Sequence, residues 1–322
     1  MSVCTLNGTT APTLWANELP RFDAAPYYAD IDFNWHHIPD TVDDFYDWAT
    51  FAETIQAYSR PGEKRVVYTP IVADPSWPSN ESESYEVAII VHGFVSSINL
   101  SPFGNWTRRE QHAPAAVRSI TLESQDHHNA FNCQQHSLRV LEQVADMTEG
   151  ATYSAPPRNA DDPPSIWAEQ DVFVKVRSPD DITPALTLTD NIDRGRHARR
   201  IARRWLVEAL PPTYLRRPSG TDLPIQPHAI RTGDFVELTV TPTIRAIRRG
   251  GVFQPTLVNN IAKIVKLWST IQTTYVPAPP TPQVVPIPQA IPTNHEHAAP
   301  QEVLANQLPF AAGDDDDMLP DV

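Results

Sequence analysis

The chain has 322 residues, 33 prolines against 11 glycines, and a formal net charge of −14, which supports one large domain or two small ones with a real core. Only Cys4 and Cys133 are present, which excludes a disulfide framework and suits a reducing compartment. No run approaches the ~20 apolar residues of a membrane span, and MSVCTLNGTTAPTLW lacks a basic leader followed by an apolar core. The expectation is a soluble intracellular protein, cytoplasmic or nuclear.

Residues 1–60 are acidic and aromatic, with Trp15, Phe33, Trp35, Phe45, Trp48 and Phe51 among many carboxylates. Asp40 or Thr41 can cap a helix running through DDFYDWATFAETIQAY, whose Phe45, Trp48, Phe51 and Ile55 share one face. Such a segment either packs on the core or is offered to a protein partner. After the turn at Arg60-Pro61-Gly62, RVVYTPIV (65–72) and YEVAIIVHGFV (85–95) read as strands. Leu138, Leu141, Val144 and Ala145 predict a helix of three turns stopped by Gly150. A proline- and aspartate-rich loop follows, and DVFVKVR (171–177) is another alternating strand.

From Asp193 to Leu210, DRGRHARRIARRWLVEAL, the spacing predicts a basic amphipathic helix. Ala198, Ile201, Ala202, Trp205 and Ala209 form its apolar stripe, and Arg196, Arg199, Arg200, Arg203 and Arg204 its other face. Asp190 or Asp193 would cap it and Pro211-Pro212 would end it. The span from Arg231 to Trp268 predicts a long β-hairpin: Val236, Leu238, Val240, Ile244 and Ala246 alternate with polar residues, and Gly250-Gly251 supplies the turn. Pro242 and Pro255 must then lie at an edge or a bulge. Leu257, Ile261, Ile264 and Trp268 also recur at helical spacing, so an amphipathic helix is the rival for 256–272, with strand preferred for its β-branched content. Beyond Val276 the proline density blocks helix and sheet and predicts a disordered tail with an acidic tip. Its PAPPTP run could dock a groove that reads proline-rich peptides.

Charge is unevenly placed. Residues 193–268 carry 14 Lys and Arg against 5 Asp and Glu, a balance of 14 − 5 = +9 within a chain of −14. Such a block attracts a polyanion or docks on the chain's own acidic parts.

Motifs for chemistry are sparse. AIIVHGF (88–94) is similar to the strand and His-Gly turn of α/β-hydrolases, but no glycine frames a serine in a G-x-S-x-G elbow, so His92-Gly93 reads as the end of a structural strand. His36-His37, His127-His128 and Cys133 with His136 lack the paired spacing of a zinc site. There is no G-x-x-x-x-G-K or G-x-G-x-x-G loop. Neither a metal nor a cofactor is expected, and the chain reads as non-catalytic.

The residues GDFVELTV (233–240), the Gly250-Gly251 turn and IAKIVKL (261–267), preceded by Trp167 and DVFVKVR, resemble a class of uncharacterised proteins of mushroom-forming fungi. That likeness covers roughly 165–270 and implies neither an activity nor site residues. The hairpin is also distantly similar to strands of the OB fold, a small β-barrel that often binds single-stranded nucleic acid. The OB likeness implies a groove of cations and a stacking aromatic, for which Arg245, Arg248, Arg249, Phe253, Lys263 and Lys266 are available beside Arg196, Arg199, Arg200, Arg203 and Arg204.

The sequence therefore predicts a mainly β α+β fold, an antiparallel sheet or partly open barrel with a basic helix. Its expected divisions are an N-terminal segment (1–60), a β-rich domain (61–275) and a tail (276–322). The expected partner is nucleic acid or an acidic protein rather than a membrane, with protein partners through 1–60 and the tail, and a protein-interaction module is the alternative function.

Overall fold

A computed structural model describes residues 5–6, 9–10, 15, 38–53, 62–68, 85–154, 163–176, 186–249 and 252–269. The chain divides into one compact unit, Met1–Thr273, and a second, Thr274–Val322, which lies outside the described residues. The expectations for the tail and the peptide it could present fall there too.

In chain order the strands begin with β1 (Thr5–Leu6), β2 (Thr9–Thr10), β3 (Ala49–Glu53), β4 (Lys64–Tyr68), β5 (Tyr85–Glu86) and β6 (Ile89–Asn99). They continue with β7 (Val117–Glu123), β8 (Thr152–Tyr153), β9 (Ser165–Asp171), β10 (Phe173–Lys175) and β11 (Trp205–Val207). The last are β12 (Thr213–Arg216), β13 (Asp222–Pro224), β14 (Phe235–Arg249) and β15 (Val252–Trp268). The α-helices whose bounds lie among the described residues are α1 (Val42–Trp48), α2 (His128–Glu149) and α3 (His197–Ile201). The expected mainly β α+β class is what the chain forms.

Five of these strands close a ring. β6 pairs with β7, β7 with β9, β9 with β15, β15 with β14, and β14 returns to β6. The seam is the β9–β15 contact, a single parallel pairing at Asn260↔Glu169. Side chains reinforce it: Asn259 Nδ2 donates to Tyr153 Oη at 2.9 Å, and that hydroxyl donates to the Trp167 carbonyl at 2.7 Å. An entirely antiparallel sheet is not what forms, because β12, β9 and β8 each lie parallel to β15. The physical reason is length. A 17-residue strand offers one edge to β14 and leaves the other to three returning segments in turn.

The hairpin is the frame of the ring. Its register runs from Phe235↔Trp268 to Arg249↔Val252, on either side of Gly250-Gly251, which lie outside the described residues. Val236↔Lys266 follows Phe235↔Trp268, and Val240↔Ile261 follows Thr239↔Lys263, so β15 carries an extra residue at Leu267 and at Ala262. Each bulge adds twist and bend, which helps close the ring. Strand wins over helix for β15 because β14 satisfies its backbone along nearly the whole length. Pro242 falls between the last residue paired to β6, Val240, and the first paired to β4, Thr243. Pro255 is exposed on the hairpin arm beyond the pairings of β15 with its parallel neighbours. Both prolines thus occupy places where a missing N–H disrupts no more than a ladder's margin.

α2 covers the ring, burying Phe131, Leu138, Leu141, Val144 and Ala145 in the same cluster as Val91, Ile120, Leu122, Leu238 and Ile264. At 22 residues it is longer than the three turns expected, and it ends at Gly150 (φ 60°), as the sequence indicated. Left-handed backbone of this kind is where glycine is favoured. Trp15, Ile38, Phe45 and Trp48 belong to this core cluster as well, so described parts of the acidic aromatic segment pack on the domain.

Several local expectations are corrected. Of the helix predicted through 43–58, the described residues form α1, capped by Thr41 Oγ1 accepting from the Asp44 N–H at 3.2 Å, and 54–58 lie outside the described residues. Ala49–Glu53 instead pairs with β4, and ladder formation overrides the helical spacing there. The helix predicted over 193–210 is reduced to α3, because Trp205–Val207 pairs with Phe173–Lys175. Its N-cap is Arg196 rather than Asp190 or Asp193, although the Asp193 side chain reaches over the first turn and accepts from the Arg199 N–H at 3.0 Å. His92 sits within β6 rather than at a strand end.

Candidate nucleic-acid interface

A second apolar cluster organises the surface where cations gather. Trp106, Ala113, Ala116, Val172, Phe173, Ala198, Ile201 and Val207 are buried together, next to the main core. The Trp106 and Phe173 rings meet edge to face at 4.7 Å between centroids. Hydrogen bonds tie the parts: backbone Val172 N donates to Ala116 O at 2.9 Å and Val176 N to Arg204 O at 2.9 Å, and the Trp106 side-chain Nε1 donates to Arg109 O at 2.9 Å. The β6–β7 loop, the β10–β11 ribbon and α3 therefore form one structured shoulder.

An open groove of about 790 Å³ runs across this shoulder, lined by Arg109, Glu110, Gln111, Pro114, Lys175, Arg204 and Trp205. Arg109 and its neighbours come from the short 3₁₀ turn Glu110–Ala115 and the residue before it. Lys175 ends β10, Trp205 begins β11, and Arg204 directly precedes it. Arg204 is 76% exposed and holds Glu110 at 3.1 Å, a solvated pair that a ligand can displace at small cost. Three cations against one carboxylate leave the lining positive, and the half-buried Trp205 ring supplies an aromatic surface. Arg108, Arg200 and Arg203 are exposed alongside in sequence, and no ion pair or hydrogen bond among the described residues engages the Arg200 or Arg203 guanidinium. Arg108 and Arg196 both have positive φ, 67° and 52°, a conformation that non-glycine residues keep only where the surroundings impose it.

The sequence-predicted cations scatter. Arg204 lines the groove, Arg200 and Arg203 are exposed just before it in the chain, and Arg196 is exposed at the start of α3. Arg199 is drawn inward: Nη1 donates to Asp190 Oδ1 at 2.7 Å and Nη2 to the Leu188 carbonyl at 2.6 Å. Arg245 is buried, with Nη2 on Glu169 Oε1 at 2.5 Å and Nη1 on Asp171 Oδ2 at 2.7 Å. Burial alone would lower its pKa, but Asp171 and Glu169 outweigh that and raise it. Lys263 donates to Asp222 at 2.9 Å and lies over the Tyr214 ring, and Lys266 holds Asp234 at 2.7 Å. Arg199, Arg245, Lys263 and Lys266 are thus committed to the chain's own carboxylates. Arg248 and Arg249 stand on the hairpin arm opposite Phe253 and Val252. Of their side chains nothing is described, while Phe253 is 67% exposed. Arg245, at the root of this arm, grips Asp171 at the end of β9, four residues before Lys175 at the end of β10.

Sequence reasoning missed Arg109, Lys175 and Trp205. The Arg108-Arg109 pair was visible in a loop, but nothing in the spacing placed it opposite residues nearly a hundred positions away. Trp205 was taken into the apolar stripe of a helix that does not extend so far.

His92 is unsuited to the hydrolase role. It is buried, its Nε2 lies 3.4 Å from Glu237 Oε2, and its backbone N–H and carbonyl are bound by the Gln134 side chain at 2.6 and 2.8 Å. Arg216 completes the network, donating to both Glu237 oxygens at 3.1 Å and to Asp222. Burial would push the Glu237 carboxyl up, but His92 and Arg216 hold it well below the usual carboxylate range. Among the described residues no His, Cys, Asp and Glu cluster could hold a metal ion, and no helix is long and apolar enough to cross a membrane.

No known family model and no curated protein matches the chain. Among solved structures it is similar to the single-stranded DNA-binding protein from bacteriophage Enc34 in complex with ssDNA. That match has 12% identity and a TM-score of 0.30, over 69% of this chain and 96% of that one. It is also similar to gp2.5, a single-stranded DNA-binding protein encoded by bacteriophage T7, at 8% identity and a TM-score of 0.29, over 57% of this chain and 87% of that one. TM-scores this low lie below the level at which two folds are the same, so these likenesses decide neither the fold nor the function of this chain.

Proposed function

We propose that this chain is a non-catalytic binding protein for single-stranded nucleic acid, and that the groove of Arg109, Lys175, Arg204 and Trp205 is its contact surface. The observation that carries the reading is the union in one open channel of an excess of cations and an aromatic ring. Phosphates neutralise the first and bases stack on the second, the pairing that sequence-tolerant single-strand binding requires. Duplex DNA keeps its base faces inside the stack, so Trp205 favours an unpaired strand.

The ring of strands supports the same reading. Taking β6, β7, β9, β14 and β15 as first to fifth, the closed order is first, second, third, fifth, fourth and back to the first, the Greek-key arrangement of an OB-type barrel. In such barrels ligands meet the loop between the first two strands and the hairpin between the last two. Here those are the Arg109-bearing loop and the arm carrying Phe253.

The test is a titration of a fluorescent oligo(dT) across salt concentrations. With three phosphates held, log K falls linearly with log salt at a slope of about −2, and losing one contact flattens it by about 0.7. Lys175→Ala and Arg109→Ala each weaken binding and flatten the slope, and Trp205→Ala weakens binding with the slope kept. Wild-type protein that fails to bind at low salt, or variants that bind as it does, would refute the reading.

A further inference from the structure

Arg118 is the second residue of β7 and is fully buried, 0% exposed, on the same side of that strand as Ile120 and Leu122. Its guanidinium is spread over three segments. Nη1 donates to Gln170 Oε1 at 2.8 Å and to the Ala209 carbonyl at 3.2 Å, and Nη2 donates to the carbonyls of Pro102 at 2.7 Å and Glu208 at 2.9 Å. Gln170 is its directly paired neighbour on β9 and itself donates to the Ala209 carbonyl at 3.1 Å. Pro102 opens the loop that carries Arg109 and Gln111, and Glu208-Ala209 follow directly on β11, which carries Trp205. One planar cation therefore joins the two walls of the groove from behind.

We propose that Arg118 is a positioning residue for the groove, fixing the separation of the Arg109 wall from the Arg204 and Trp205 wall without touching the ligand. This rests on the nucleic-acid reading of the groove. The chemistry of the position favours a geometric role over simple filling. A buried cation loses its hydration, and an apolar side chain of similar volume would avoid that loss. Burial lowers the Arg118 pKa to about 10, with the charges of Glu208 and Asp171 opposing the fall. None of the hydrogen bonds it makes goes to a carboxylate, and its Nε meets no acceptor among the described residues. What it gains is the fixed fork of donors, which sets the angle between the carbonyls it binds.

The experiment compares wild-type full chain with Arg118→Met, Arg118→Lys and Gln170→Ala, well below their unfolding temperatures. It reads oligo(dT) affinity, its salt slope, and amide hydrogen exchange over 102–114 and 205–209. Arg118→Met is expected to speed exchange in both segments together and to weaken binding about tenfold, by analogy with the low end of the loss on removing the groups that orient metal ligands from behind. Its salt slope stays that of the wild type, and Arg118→Lys recovers part of the affinity. Exchange that changes in one wall or neither, or affinity unchanged with both walls loosened, overturns the proposal. A slope flattened by about 0.7 overturns it too, since that is the signature of a lost phosphate contact. Should Arg118→Met fail to fold, Gln170→Ala carries the same readouts, because it removes one acceptor and the second tie to Ala209. Failure of the binding reading itself shows separately, as wild-type protein that does not bind, while the exchange arm still reports on Arg118.

Discussion

Glu142 lies on α2 among groups that do not welcome its charge. Burial raises its carboxyl pKa from 4.5 to about 7, with Arg139 only partly opposing. Nearby Tyr153 is pushed up as well, by burial first and then by Glu142. Between pH 4.5 and 7 the folded chain keeps a proton at Glu142 that the unfolded chain has released. Raising the pH through this window therefore destabilises the fold, by about 1–3 kcal/mol when solvent screening is allowed for. Glu237 does not mask the trend, because its pKa is held below the window. Urea midpoints measured from pH 4.5 to 8 should fall for the wild type and stay flatter for Glu142→Gln. A variant with the wild-type pH profile would show that Glu142 is solvated after all. At this scale the sequence revealed little, since a carboxylate's environment is set by contacts far along the chain. Arg245 makes the same point: its alternation on β14 was visible, but its partners Glu169 and Asp171 lie 76 and 74 residues away.

Elements were readable where local pattern and tertiary pairing agree. The β14–β15 hairpin was visible because alternation, a glycine pair and a second β-branched run stand in order, and its ladder satisfies the same residues. α2 was visible through apolar spacing and Gly150. Where one run serves two periods, the sequence misleads: Ala198 and Ile201 fit the apolar stripe of a long helix and are equally buried on α3, whereas Val207, off that stripe, is buried by the strand β11. The strand partner that decides between them, Phe173–Lys175, is remote. The dipeptide His92-Gly93 is similar to a catalytic turn but reads as the end of a strand, and its glycine answers a packing need within one. A Cβ at Gly93 would lie 3.0 Å from Leu122 Cβ and from Phe131 Cε2, and 3.3 Å from the Glu123 carbonyl. α2 can press on β6 and β7 only because that atom is missing. Gly93→Ala should cost about 1–3 kcal/mol through overpacking, read as a lower urea midpoint with an unchanged m-value. Phe131→Leu in the same background should recover part of the loss, which a purely backbone effect of the alanine would not allow.

At the scale of the whole molecule, the charge asymmetry resolves into two populations. Among the described side chains, the cations Arg245, Lys263 and Lys266 of the hairpin and Arg216 of β12 are locked to carboxylates of the same unit, as in Arg245 with Glu169, Lys266 with Asp234 and Arg216 with Glu237. Those of the shoulder, Arg109, Lys175, Arg200 and Arg203, face solvent. A count along the sequence cannot separate them, because pairing is decided by which strands meet. The acidic N-terminal segment bears on the same question, since a segment committed to the core is not free to recruit a partner through its buried aromatics. Trp15 is fully buried, 4.9 Å from the Phe235 ring and 6.2 Å from Phe94, and Ile38 and Phe45 are buried with it. Trp15→Ala should therefore cost about 3–5 kcal/mol, as large aromatic truncations in a core do. Removing residues 1–60 should go further, leaving a chain that exposes apolar surface and loses cooperative unfolding. If instead the truncated chain melted at the wild-type midpoint, the core could do without these residues, and the segment would be available to a protein partner. The same truncation can be titrated with oligo(dT): affinity that falls only in step with the loss of folded protein places the strand on the shoulder, away from the N-terminal face.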